Sequence, residues 1–183
     1  MNPEAGRKGP IGNAGSASSL VVRLPLLVAA MASMLAGLWA GVARLGIPAP
    51  PPVASWYAAH GPLMVCAFAG TLVCLERAVG LERRLALLLP AAGALSALCL
   101  LSGKAPQAAA VLSCAASAGL VSLFTYLYLQ KAAVPVAVLG AGAACWLAGN
   151  FGWALGQSVP RVLPWWISFL LLTIAGERLE LNR

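Results

Sequence analysis

The sequence is poor in charge, has a single histidine and lacks every common phosphate-binding or hydrolase motif. Only 9% of its 183 residues are Asp, Glu, Lys or Arg, against about 25% in a typical soluble domain. With 61% hydrophobic residues and a mean hydropathy of +0.86, this shortage excludes a water-soluble globular fold. Twelve basic residues against five acidic ones give a net charge of +7, but they are too few and too dispersed for a nucleic-acid surface. No Gly-rich phosphate loop, HExxH, GxSxG or pair of carboxylates inside an apolar run occurs, so hydrolase, kinase and pump readings have no support. The five cysteines, Cys66, Cys74, Cys99, Cys114 and Cys145, form no CxxC pair and all fall inside apolar runs. They read as small core hydrophobes, with no disulfide framework and a thiolate metal site as the lesser alternative.

What remains is a set of long apolar runs. Crossing a hydrocarbon layer of about 30 Å takes roughly 20 residues at 1.5 Å each. Six runs reach or approach that length, at about 24–43, 56–75, 85–102, 106–130, 135–156 and 162–177. The expected fold is an all-α, polytopic bundle of six transmembrane helices over residues 20–183. Residues 1–19, rich in Gly, Ser, Ala and Asn, have too little apolar surface to offset their ordering entropy and are expected to form a disordered tail. The first run is longer than a signal-peptide core and reads as a span.

Basic residues give the orientation. Six spans put Arg7, Lys8, Arg23, Arg77, Arg83, Arg84, Lys131, Arg178 and Arg183 on one side, and only Arg44, Lys104 and Arg161 on the other. Lys- and Arg-rich short loops stay in the cytoplasm, so both termini are expected there. Trp56, Tyr57, Trp165 and Trp166 then fall at the outer interface as aromatic anchors.

Small residues four apart let membrane helices approach closely. Such rows occur in span one (Ala29, Ser33, Gly37, Gly41), span four (Ala110, Cys114, Ala118, Ser122) and span five (Gly140, Ala144, Ala148, Gly152, Gly156). All three are expected to face protein, and the last is a candidate face for a homo-oligomer or a second membrane subunit.

Few residues can carry chemistry. His60 stands near the start of span two, with Met64 four residues on and therefore on the same helical face. An imidazole and a thioether there can ligate copper or haem iron; the plain alternative is an interfacial histidine bonded to a carbonyl or water, with Pro62 in the first helical turn setting the helix start. Glu76-Arg77 and Glu177-Arg178 end spans two and six. The uncharged stretch of span six covers only 15 residues, about 22 Å of helix. That is short of the hydrocarbon core of about 30 Å, so Glu177 and Arg178 are expected to lie partly within the membrane or to thin it locally, and pairing of Glu76 with Arg178 or of Glu177 with Arg77 is favoured. This is a helix clamp or a proton-handling group. Asn150, in the middle of span five, is either interhelical glue or part of a polar pocket with Gln157 and Ser158.

The segment 24–90 resembles the opening of the NnrS family, polytopic bacterial membrane proteins linked to nitric oxide metabolism and described as containing haem and copper. The resemblance is carried by Trp56-Tyr57-Ala58-Ala59-His60-Gly61-Pro62-Leu63-Met64 running into Phe68-Ala69-Gly70. The family's second helix begins with His-x-His-Glu-Met followed by Gly-Phe. Here His60 and Met64 remain, Ala58 and Gly61 replace the other His and the Glu, and family members are about twice as long. The resemblance implies a multi-pass protein of the bacterial inner membrane, with haem or copper held near the outer face through His60 and Met64 in redox or nitric oxide metabolism. The alternatives are a small transporter or channel with a polar path near Asn150 and Glu177, and a structural or assembly subunit without a cofactor.

Overall fold

Backbone N–H and C=O groups held away from water must be satisfied within their own segment, so each apolar run becomes a helix. The structure, a computed structural model, describes residues 14–81 and 83–182. Its helices are α1 (Ala14–Arg44), α2 (Trp56–Leu81), α3 (Leu85–Ser102), α4 (Pro106–Gln130), α5 (Val134–Ala154) and α6 (Val159–Leu181). There is no strand among the described residues. All six helices contain an 18-residue window apolar enough to cross a membrane, and the fold is that of a multi-pass membrane protein.

Several boundaries differ from expectation. Helix α1 begins at Ala14, inside the segment expected to be a disordered tail; residues 1–13 of that tail lie outside the described residues. Helix α2 runs past Glu76 and Arg77 to Leu81, so this pair sits on the last turns of a helix and not in a loop. Helix α6 has 23 residues, about 34 Å, because it starts before Arg161 and carries Glu177 and Arg178 within its final turns.

Pro62 does not set a helix start. It is the seventh residue of α2, and directly after it Leu63–Gly70 runs as a π-helix. Proline withholds an N–H and its ring crowds the carbonyl four residues back, and a widened register is one way a helix absorbs both.

The helices pack in two groups. Helix α1 lies against α2 and α3 around Ala36, Leu63, Ala67, Ala97, Leu100 and Ala109. The second half of α2 joins α4, α5 and α6 around Phe124, Leu139, Trp146, Trp166 and Phe169. Trp146 stacks on Phe169 with ring centroids 4.9 Å apart.

The small-residue rows are only partly inward. In α1, Ser33 and Gly37 are buried as expected, but Ala118 and Ser122 of α4 and Ala144 and Ala148 of α5 are exposed. The inward face of α5 is instead Leu139, Ala143, Trp146, Gly149 and Asn150. The physical reason is packing: large side chains make more van der Waals contacts with neighbouring helices than alanines do, and single glycines accept them. A Cβ on Gly149 would stand 2.6 Å from the Trp166 ring, one on Gly176 would stand 2.6 Å from Leu139, and one on Gly70 would collide with Trp146. Trp166, expected to be an interfacial anchor, is instead fully buried in the core, while Trp165 is half exposed.

Candidate functional site

Three places gather the polar side chains, and they are separate. The first is His60. Gly37 and Gly41 lie one turn apart on α1 and leave two notches: a Cβ on Gly41 would come within 2.9 Å of His60 Cε1, and one on Gly37 within 2.7 Å of Met64 Sδ. His60 and Met64 fill these notches. The ring is further fixed by Nδ1–H donating to the Gly37 carbonyl at 2.7 Å. A carbonyl can only accept, so Nδ1 carries a proton, and of the two neutral tautomers this bond selects the one whose Nε2 has the lone pair. Orientation of one ring nitrogen by a backbone carbonyl is also how metal-ligating histidines are held.

The second place is Asn150, completely buried. Its Nδ2 donates to the Ser113 carbonyl at 3.1 Å and to Ser117 Oγ at 3.2 Å; its Oδ1 accepts from Cys66 Sγ at 3.2 Å and from Trp166 Nε1 at 3.0 Å. One amide thus ties α2, α4, α5 and α6 together. Ser96 of α3 extends the network, contacting Ser113 Oγ at 2.9 Å and donating to the Ala109 carbonyl. Asn150 is interhelical glue. Gln157 and Ser158, the other members of the expected polar pocket, lie elsewhere.

The third place is the end where α2 and α6 finish. Arg77, with a side chain only 14% exposed, has Nη1 at 3.0 Å from Glu180 Oε2 and Nη2 at 3.8 Å from both Glu177 Oε1 and Glu76 Oε1. Its guanidinium also lies over the Phe124 ring, 5.7 Å from the centroid. Of the two expected pairings, Arg77 with Glu177 forms. Glu76 turns to Arg77 instead of Arg178, which is exposed, because one buried guanidinium serves three carboxylates reached from two helix ends.

Gln157 and Ser158 line a cavity of about 320 Å³ at the opposite end, together with Ser55, Ala58, Ala59, Pro62, Cys99 and Trp153 among others. The expected polar pocket thus keeps Gln157 and Ser158 and loses Asn150; sequence reasoning missed the cavity's other walls, and the roles of Cys66, Ser113, Ser117 and Trp166 around Asn150. The one available signal was spacing, since Trp146 and Asn150 are four apart on one face of α5.

A family model described as a domain of unknown function, DUF8744, matches residues 23–183. The chain belongs to the DUF8744 family. Its matched region takes in all six spans and each of the three polar places. No curated protein and no solved structure matches the chain.

Whether the His60 site fits the implied cofactor turns on its donors. Among the described residues, no three His, Cys, Asp or Glu side chains come together in a way that could hold a metal ion. Haem brings four nitrogen donors of its own and asks the protein for an axial ligand, which a single fixed Nε2 can be. Copper asks for more protein donors, and here only the Met64 thioether stands one turn away.

Proposed function

We propose that this DUF8744 protein is a multi-pass protein of the bacterial inner membrane, with both termini in the cytoplasm, that binds haem, or less readily copper, near its outer face through His60. The observation that supports this reading is the 2.7 Å bond from Nδ1 to the Gly37 carbonyl, with the ring held in the Gly41 notch, which fixes the tautomer that leaves Nε2 as donor to a metal. The resemblance of segment 24–90 to NnrS proteins points the same way. Met64 is the available second ligand, and packs the neighbouring notch in either case. Bound there, the group would supply reversible one-electron chemistry and a place for nitric oxide; the chain's own part is to orient the imidazole and to exclude water with α1.

The transport reading draws no support from Asn150, whose donors and acceptor are all engaged by protein, nor from Glu177, which is tied to Arg77. The Arg77 cluster acts in this account as the clamp between α2 and α6. The test is an oxidised and reduced visible spectrum with metal analysis, on detergent-purified protein expressed with added haem and copper, beside His60→Ala. A haem band or stoichiometric copper that the substitution removes is the expected result. A colourless, metal-free wild type, or a band indifferent to His60, overturns the reading.

A further inference from the structure

The 320 Å³ cavity lies within the size range of pockets that hold small organic ligands. Its composition narrows the class. Among the described residues no Asp, Glu, Lys, Arg or His lines it, so none of them neutralises an ionic ligand there. Ser55, Gln157 and Ser158 offer two hydroxyls and an amide, all able to donate to a carbonyl oxygen, while Ala58, Ala59, Pro62, Leu100, Val159 and Trp153 supply apolar wall.

Trp153 is preset. It meets Trp166 edge to face, with centroids 5.9 Å apart and planes at 84°, and Trp166 is itself pinned by its hydrogen bond to Asn150. The buried hub therefore fixes an indole in the cavity wall before any ligand arrives. A preset indole suits a flat π-system, and preformed geometry lowers the cost of binding.

We infer that this cavity binds a neutral, quinone-type ring, with the ring against Trp153 and its carbonyl oxygens accepting from Ser55, Gln157 and Ser158. The site lies beside α2 on residues other than His60 and Met64, and does not depend on a cofactor at His60.

The test is equilibrium dialysis of duroquinone against the full chain in lipid nanodiscs, without added haem or copper. Duroquinone is neutral, and its fully methylated ring does not add the Cys99 thiol. Wild type should bind one ring per chain. Ala58→Trp, which fills the cavity from an exposed position, should weaken binding at least tenfold, and Gln157→Leu about fivefold, both with an unchanged melting temperature. Should Ala58→Trp fold poorly, Gln157→Leu alone decides, because its side chain is exposed. Binding equal in all three proteins, no saturable binding, or a co-purified phospholipid that duroquinone does not displace would each overturn the inference.

Discussion

The two halves of the bundle solve the same problem by different means. Lipid is as apolar as leucine, so helices gain little by hiding apolar surface from it and must associate through close packing and hydrogen bonds. Around α4, α5 and α6 the chain uses bulk and polarity: Trp146, Trp166 and Phe169 fill the centre, and Asn150 joins four helices with four hydrogen bonds. Around α1 and the start of α2 it uses two glycine notches: Gly37 and Gly41 receive the Met64 and His60 side chains, and among the described residues one side-chain bond, from His60 to the Gly37 carbonyl, crosses the contact. The first half is built to be rigid. The second is held by shape, and it carries the side chain to which we assign function.

Substitutions should separate the two. The largest effect is expected from Trp146→Ala, which empties the centre of the aromatic half and should cost about 3–5 kcal/mol, measured by reversible unfolding in mixed micelles. Asn150→Leu removes four bonds worth roughly 0.6 kcal/mol each in a membrane, about 2–3 kcal/mol together. It should also blue-shift Trp fluorescence less than it broadens it, because Trp166 loses its fixed partner. If Asn150→Leu is neutral, the hub is not what rigidifies this half.

In the glycine half the expected losses are smaller and unequal. Gly41→Ala pushes on a rigid, hydrogen-bonded imidazole and should cost about 1–3 kcal/mol; Gly37→Ala pushes on a flexible thioether that can turn aside, and should cost about 1 kcal/mol or less. Equal costs would mean that the notches are not shaped by their occupants. Smallest of all, Gly80→Ala meets nothing within 4 Å and should stay within about 0.5 kcal/mol of wild type.

The same contrast explains what was legible in the sequence. Six helices could be read from run lengths alone, and the match at 106–130 is complete, because Pro106 opens α4 and Lys131 closes it. The row Ser33, Gly37, Gly41 was legible because packing through small residues leaves a simple i+4 signature. The aromatic half was not: the row through Ala144 and Ala148 had the same signature and faces outward, since which face of α5 turns in was decided by Trp146 and Asn150 finding partners on three other helices. Trp166 looked like an interfacial anchor for the same reason. Its partner is 16 residues away in sequence, and spacing within one helix cannot show it. The π-turn after Pro62 and the cavity at Gln157 likewise arise from how helices meet.

The account rests most heavily on the imidazole of His60. The direct measurement is the visible spectrum of haem-loaded His60→Gly, recorded before and after adding free imidazole. Loss of the wild-type band on substitution and its return with imidazole, which can re-enter the space between Gly41 and α2, is the predicted result. A band that survives the substitution, or a wild-type protein that takes up no haem, would contradict it.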